Sequence, residues 1–98
     1  MPGLADITYR SNSAPYLHWA VWNDEYVVFD EASGQTHQLD AVRAYILHLV
    51  SDGPQTLSNV VHALAELPRV PTESVTSAVI SAIFSEFETC GLVEVIAQ

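Results

Sequence analysis

The sequence predicts an α+β fold, from three observations. Residues Tyr16 to Leu39 carry an alternating, aromatic and β-branched pattern broken by turn-forming residues. From Ala41 to about Cys90 the apolar residues recur with a period near 3.6. A glycine then precedes a last apolar, β-branched run, Leu92 to Ile96. The order is a three-stranded antiparallel N-terminal meander, three helices and a short C-terminal strand. With 98 residues, 49% of them hydrophobic and 15% charged, the chain has enough apolar surface for one packed core. It is too short for a core plus a roomy catalytic cleft.

Residues 1–15 read as a flexible arm, because Pro2, Gly3, Ser11, Asn12, Ser13 and Pro15 punctuate a stretch without periodicity. The domain proper is expected over residues 16–98. In Tyr16 to Trp22, Leu17, Trp19 and Val21 alternate with His18 and Ala20, as a strand requires. Asn23-Asp24 forms a tight turn, since both residues tolerate positive φ. Glu25 to Asp30 is the second strand, Ala32-Ser33-Gly34 the next turn, and Gln35 to Leu39 a short, mostly polar third strand at the sheet edge. Asp40 is the N-cap of a first helix from Ala41 to about Val50, with Val42, Tyr45, Ile46 and Leu49 as its apolar stripe. Asp52-Gly53-Pro54 ends it. Thr56 caps the second helix, whose Leu57, Val60, Val61 and Leu64 share one face. Thr72 caps the third, which runs to about Cys90, with Gly91 placed to take the positive φ of a helix C-cap. Two helices joined by a tight turn and followed by a long helix make a helix-turn-helix, and the strands make its wing.

The third helix is more apolar than one buried face requires. At about 100° per residue, Ser74, Ser77, Ser81, Ser85 and Glu88 form a narrow polar stripe, and the apolar arc covers roughly 240°, against about 100° for an ordinary surface helix. Ile80, Phe84 and Phe87 supply the core flank. The smaller flank, Val75, Ala78, Val79 and Ala82, either lines a groove or is covered by the N-terminal arm or the closing strand.

Charge excludes whole classes of function. Three basic residues stand against twelve acidic ones, a net charge of −9, and the chain has no lysine. Nucleic-acid binding releases counterions from phosphates through Lys and Arg, and Arg10, Arg43 and Arg69 cannot form a basic face. The exposed stripe of the third helix offers serine and glutamate, not the side chains that read base edges. Anionic membranes are disfavoured for the same reason. The Met1 to Pro15 stretch has one arginine and no apolar run, and Ala44 to Val50 is far too short to span a bilayer, so a cytoplasmic location is expected. High negative charge either serves solubility or marks a preference for basic partners.

No catalytic pattern emerges. His18, His37, His48 and His62 lie on different elements without ligand spacing, and neither a metal nor a cofactor is expected. There is no Gly-rich phosphate loop and no G-x-S-x-G or H-E-x-x-H motif. Asp24-Glu25 and Asp30-Glu31 read as solvated turn acids, since neighbours on a strand point to opposite faces. Cys90, the single cysteine, near the end of an apolar helix, is expected to be a buried, inert thiol.

The run Tyr26-Val27-Val28-Phe29-Asp30, then Ser33-Gly34-Gln35-Thr36-His37-Gln38-Leu39-Asp40, resembles the PqqD-like proteins, in particular the branch associated with an HPr-kinase-like system. Thr56-Leu57 at a helix start and the ending Phe87 to Glu94, F-x-x-C-G-L-V-E, extend the resemblance from about Trp19 to Val95. It implies a RiPP recognition element, a non-catalytic peptide chaperone that binds the leader segment of a precursor peptide by strand addition and presents it to a modifying enzyme. The enzyme would be encoded nearby and be HPr-kinase-like or a radical SAM protein. The implied site is the third strand and the facing third helix: Gln35, Thr36, His37, Gln38, Leu39, Val75, Ala78, Val79, Ala82 and Glu86. The residue pattern points to the same two elements, because an open polar edge and an unexplained apolar flank make a groove suited to β-augmentation. Glu86 either pairs with a basic leader residue or is simply an exposed glutamate near a helix end. The alternative function is an adaptor or regulatory subunit for a kinase-like enzyme, and the open edge also admits a homodimer.

Overall fold

The computed structural model describes residues 7–12, 14–23, 25–68, 70 and 75–97. Its strands are β1 (Thr8–Ser11), β2 (Leu17–Trp22), β3 (Glu25–Asp30), β4 (Gln35–Leu39), β5 (Gln55–Thr56) and β6 (Val93–Ala97). Its helices are α1 (Ala41–Asp52), α2 (Leu57–Ala65) and α3 (Ser77–Thr89). The expected meander forms one sheet, β2-β3-β4, paired from Leu17 with Asp30 through Trp22 with Glu25, then from Tyr26 with Leu39 through Asp30 with Gln35. Asn23 supplies the positive φ of the first turn, at 51°, while Asp24 lies outside the described residues.

A second sheet, β5-β1-β6, departs from the expected order. Thr8–Ser11 belongs to the segment read as a flexible arm, yet it is the central strand here, pairing with Gln55 and Thr56 on one side and with Val93 to Ala97 on the other. Its only large apolar residue is Tyr9, so no period-two pattern betrays it. Tyr9 is nevertheless buried and stacks on Phe84 of α3, with ring centroids 3.9 Å apart and planes 3° off parallel. The strand is defined by distant partners, not by its own sequence.

The helices begin where local chemistry dictates. The Asp40 carboxylate accepts the Arg43 N–H at 2.8 Å and Thr56 Oγ1 accepts that of Asn59 at 3.1 Å, the two expected caps. For α3 the cap is Thr76 rather than Thr72: its hydroxyl accepts the Val79 N–H at 3.2 Å. Thr72 lies outside the described residues, and Val75 precedes the helix. Thr76 lies one turn beyond the expected cap. At the other end Gly91 takes φ 79°, Leu92 N–H donates to Phe87 O at 2.8 Å and Gly91 N–H to Glu88 O at 3.0 Å. That pair of bonds is a Schellman motif, sealed by the buried Phe87 and Leu92.

The core runs between the two sheets and the helices, with Ile46, Leu47 and Val50 of α1, Leu57, Val60 and Leu64 of α2, and Ile80, Phe84 and Phe87 of α3 fully enclosed. In α1 the buried set is Ala44, Ile46, Leu47 and Val50, not the expected stripe: Val42, Tyr45 and Leu49 are only half-buried. A helix apolar nearly all round gives periodicity no single face to select. Asp30 is also enclosed, against the expectation of a solvated acid. Its two carboxylate oxygens accept the Ala32 N–H at 3.0 Å and the Ser33 hydroxyl at 3.1 Å, which holds the β3–β4 turn from within.

Candidate functional site

β4 is the outer strand of its sheet, and no described strand pairs with its far edge. An edge of this kind leaves alternate backbone N–H and C=O groups unused. Across from it stands α3, and between them the surface is concave. One cleft of about 300 Å³ is lined by Thr36 to Leu39 of β4, by Glu86, Phe87, Cys90 and Leu92, and by Arg43 of α1. A second of about 240 Å³ is lined by Val79, Ala82, Ile83 and Glu86 of α3 with Asp40, Val42 and Arg43.

The expected site residues distribute as follows. Gln35, Thr36 and Gln38 are exposed on the edge strand, Leu39 is buried as floor, and His37 is half-buried. The His37 Nε2 is enclosed and has no hydrogen-bond partner. Val79 and Ala82 are exposed and line the second cleft, so this part of the smaller α3 flank faces a groove. Ala78 is exposed but lines neither cleft, and Val75, half-buried ahead of the helix, packs toward the core.

Glu86 lies at the junction of the two clefts, and its partner is within the chain. Arg43 holds it in a two-pronged ion pair, Nε to Oε1 at 2.9 Å and Nη2 to Oε2 at 2.8 Å, and Arg43 Nη1 reaches Asp40 at 2.7 Å. Hydrogen bonding to Arg43 lowers the Glu86 pKa below the usual carboxylate range, and the same bonds raise that of Arg43. The pair is a bar across the groove that separates the two clefts. Arg43 was missed from sequence, although an acid inside an apolar arc and an arginine at the third position after a helix cap were both visible. Cys90 is another correction: it is exposed and lines the first cleft, because the helix ends at Thr89 and the chain turns away.

Among the described residues no three His, Cys, Asp or Glu side chains converge to hold a metal ion. No described helix is long and apolar enough to cross a membrane.

The family model for coenzyme PQQ synthesis protein D (PqqD) matches residues 25–93, more than half of the chain. The chain belongs to the PqqD family. That match spans β3, β4, all three helices and the start of β6, and so contains both walls of the groove. Two solved structures share the fold of this PqqD-family chain. One is TbiB1 in complex with the TbiA(beta) leader peptide, at 22% identity and TM-score 0.67, covering 91% of this chain and 99% of that one. The other is a lasso peptide synthetase B1 complexed with the leader peptide, at 22% identity and TM-score 0.63, covering 88% and 96%. No match is found among the curated proteins.

Proposed function

We propose that this PqqD-family chain is a RiPP recognition element: a peptide chaperone that binds the leader segment of a precursor peptide and presents it to a separately encoded modifying enzyme. The chain itself carries out no reaction. The observation that carries the reading is the open β4 edge facing α3 across a two-part groove. Both solved relatives in fold are leader-peptide complexes, which supports the same occupant here. The net charge of −9 favours a leader and an enzyme surface richer in basic residues. Both partners would be met in the cytoplasm, where precursor and enzyme are made.

Magnitudes decide which part of the groove selects its ligand. Each backbone hydrogen bond to β4 contributes a net of about 1 kcal/mol. Association costs at least about 4 kcal/mol in lost freedom, so a five-residue edge barely offsets it. Filling a cleft with one Leu- or Phe-sized side chain adds about 1.5–3 kcal/mol. Selectivity therefore resides in the clefts on either side of the Arg43–Glu86 bar, and the edge supplies register.

The test is a pair of substitutions in the groove. Val79→Asp and Ala82→Glu place charge in the second cleft at exposed helix positions, where the fold tolerates it. Each is expected to weaken binding of a precursor leader by about tenfold or more, measured by calorimetry, with an unchanged unfolding midpoint. Undiminished binding in both variants would remove the α3 wall from the site.

A further inference from the structure

The outer face of the β2-β3-β4 sheet is at odds with its surroundings. An antiparallel sheet with one face on the core alternates apolar-in and polar-out. The pairings of Leu17 with Asp30, Trp19 with Val28 and Val21 with Tyr26 define the inner face, and those of His18 with Phe29 and Ala20 with Val27 the outer one. β2 and β3 thus carry apolar residues on both faces, the pattern of strands covered on both sides. Yet Trp22 is 73% exposed and Phe29 39% exposed, and His18 and Ala20 are exposed too. The His18 and Phe29 rings lie 6.2 Å apart on this surface, forming one patch with Trp22 beyond.

Its charge is one-sided. Glu31 stands 3.7 Å from the His18 ring at one end, and Glu25, bonded to Gln38 at 2.8 Å, stands at the other. The described arginines are engaged elsewhere, Arg10 with Glu94 on the second sheet and Arg43 within the groove. The face is an aromatic and aliphatic centre between two carboxylates, complementary to an apolar protein surface rimmed by Lys and Arg. It also abuts the β4 edge. A strand added to β4 would direct alternate side chains onto this same face.

We infer that the outer face of the β2–β4 meander, centred on Trp22 and Phe29 and bounded by Glu25 and Glu31, is the docking surface for the modifying enzyme, through an apolar enzyme patch with a basic rim. From the proposed function this borrows the existence of a partner enzyme; the leader groove is a separate surface. Docking here covers the sheet and an added peptide strand together, so the enzyme meets the peptide on the protein that holds it.

The probes are the purified folded enzymes encoded beside this gene, titrated one by one against the full chain by interferometry, alongside a separate titration with the precursor leader. One enzyme is expected to bind, and more weakly as salt rises. The double variant Trp22→Thr with Phe29→Thr, whose β-formers keep the strands intact, should weaken that binding by at least about tenfold. Its leader affinity should stay within about twofold of the parent chain. If the double variant loses its dispersed amide spectrum, Glu25→Lys with Glu31→Lys replaces it, with the same loss expected. Enzyme binding unchanged by either pair, or no binding of any of these enzymes to the parent chain, overturns the assignment. Loss of leader binding to the parent chain, with enzyme binding still dependent on Trp22 and Phe29, would refute the groove and leave this surface standing.

Discussion

Three side chains carry tasks that can be tested one at a time. The Asp30 carboxylate is enclosed, and it occupies its oxygens with the Ala32 N–H and the Ser33 hydroxyl. Asp30→Ala removes the shared acceptor of both bonds at the β3–β4 turn and is expected to cost about 1–3 kcal/mol in urea unfolding. Glu86 is governed by Arg43, whose hydrogen bonds hold its pKa below the ordinary carboxylate value. A carboxylate lowered in the folded state contributes stability fully above its unfolded pKa, and that contribution disappears as pH falls through the folded one. The stability difference between the parent and Arg43→Gln should therefore be present at neutral pH and shrink in acid below the usual glutamate range. A difference independent of pH would show that Arg43 acts through packing alone. Tyr9 has the opposite sign. Burial chiefly, with nearby Glu88, raises its phenol pKa. The folded state thus holds the proton more tightly, and stability falls as pH rises past the ordinary phenol value. Tyr9→Phe should remove that alkaline loss.

Elements differ in how openly the sequence declares them. β3, β4 and the starts of α1 and α2 were legible because alternation, turn residues and capping side chains are local signals. The β3 and β4 boundaries agree with expectation, and Asp40 and Thr56 cap as read. β1 was not legible, for Thr8-Tyr9-Arg10-Ser11 has one large apolar residue and owes its conformation to β5 and β6, far along the chain. The α3 start was expected at Thr72, but the cap is Thr76, one turn later. If β1 is integral, Tyr9→Ala costs about 3–5 kcal/mol, as for other buried aromatic truncations. The amides of Tyr9 to Ser11 should then exchange as slowly as those of α3. Fast exchange there would return this segment to the status of an arm.

At the scale of the molecule, the fold is a scaffold that sets the open edge of β4 opposite α3. Half of that arrangement was legible: a polar terminal strand and an over-apolar third helix are both written in the sequence, and Val79 and Ala82 do line the groove. The other half was not. The Arg43–Glu86 bar joins residues from two helices, and neither Phe87, Leu92 nor Cys90 signals from sequence that it borders a cleft. Cys90 follows from how the chain leaves α3, a matter of three-dimensional direction that helical periodicity cannot supply. The same holds for the outer sheet face, where composition reveals apolar residues on both sides of β2 and β3 but not which side stays bare.

Strand addition to β4 is read most directly by an amide chemical-shift titration. The labelled full chain would be titrated with synthetic leader peptides from the precursor-like genes beside its own. Shifts are expected to concentrate on Gln35 to Leu39 and on Val79 to Glu86, with slowed exchange of the β4 amides, while α2 and β6 remain still. Saturable binding whose shifts leave β4 and α3 untouched would contradict strand addition.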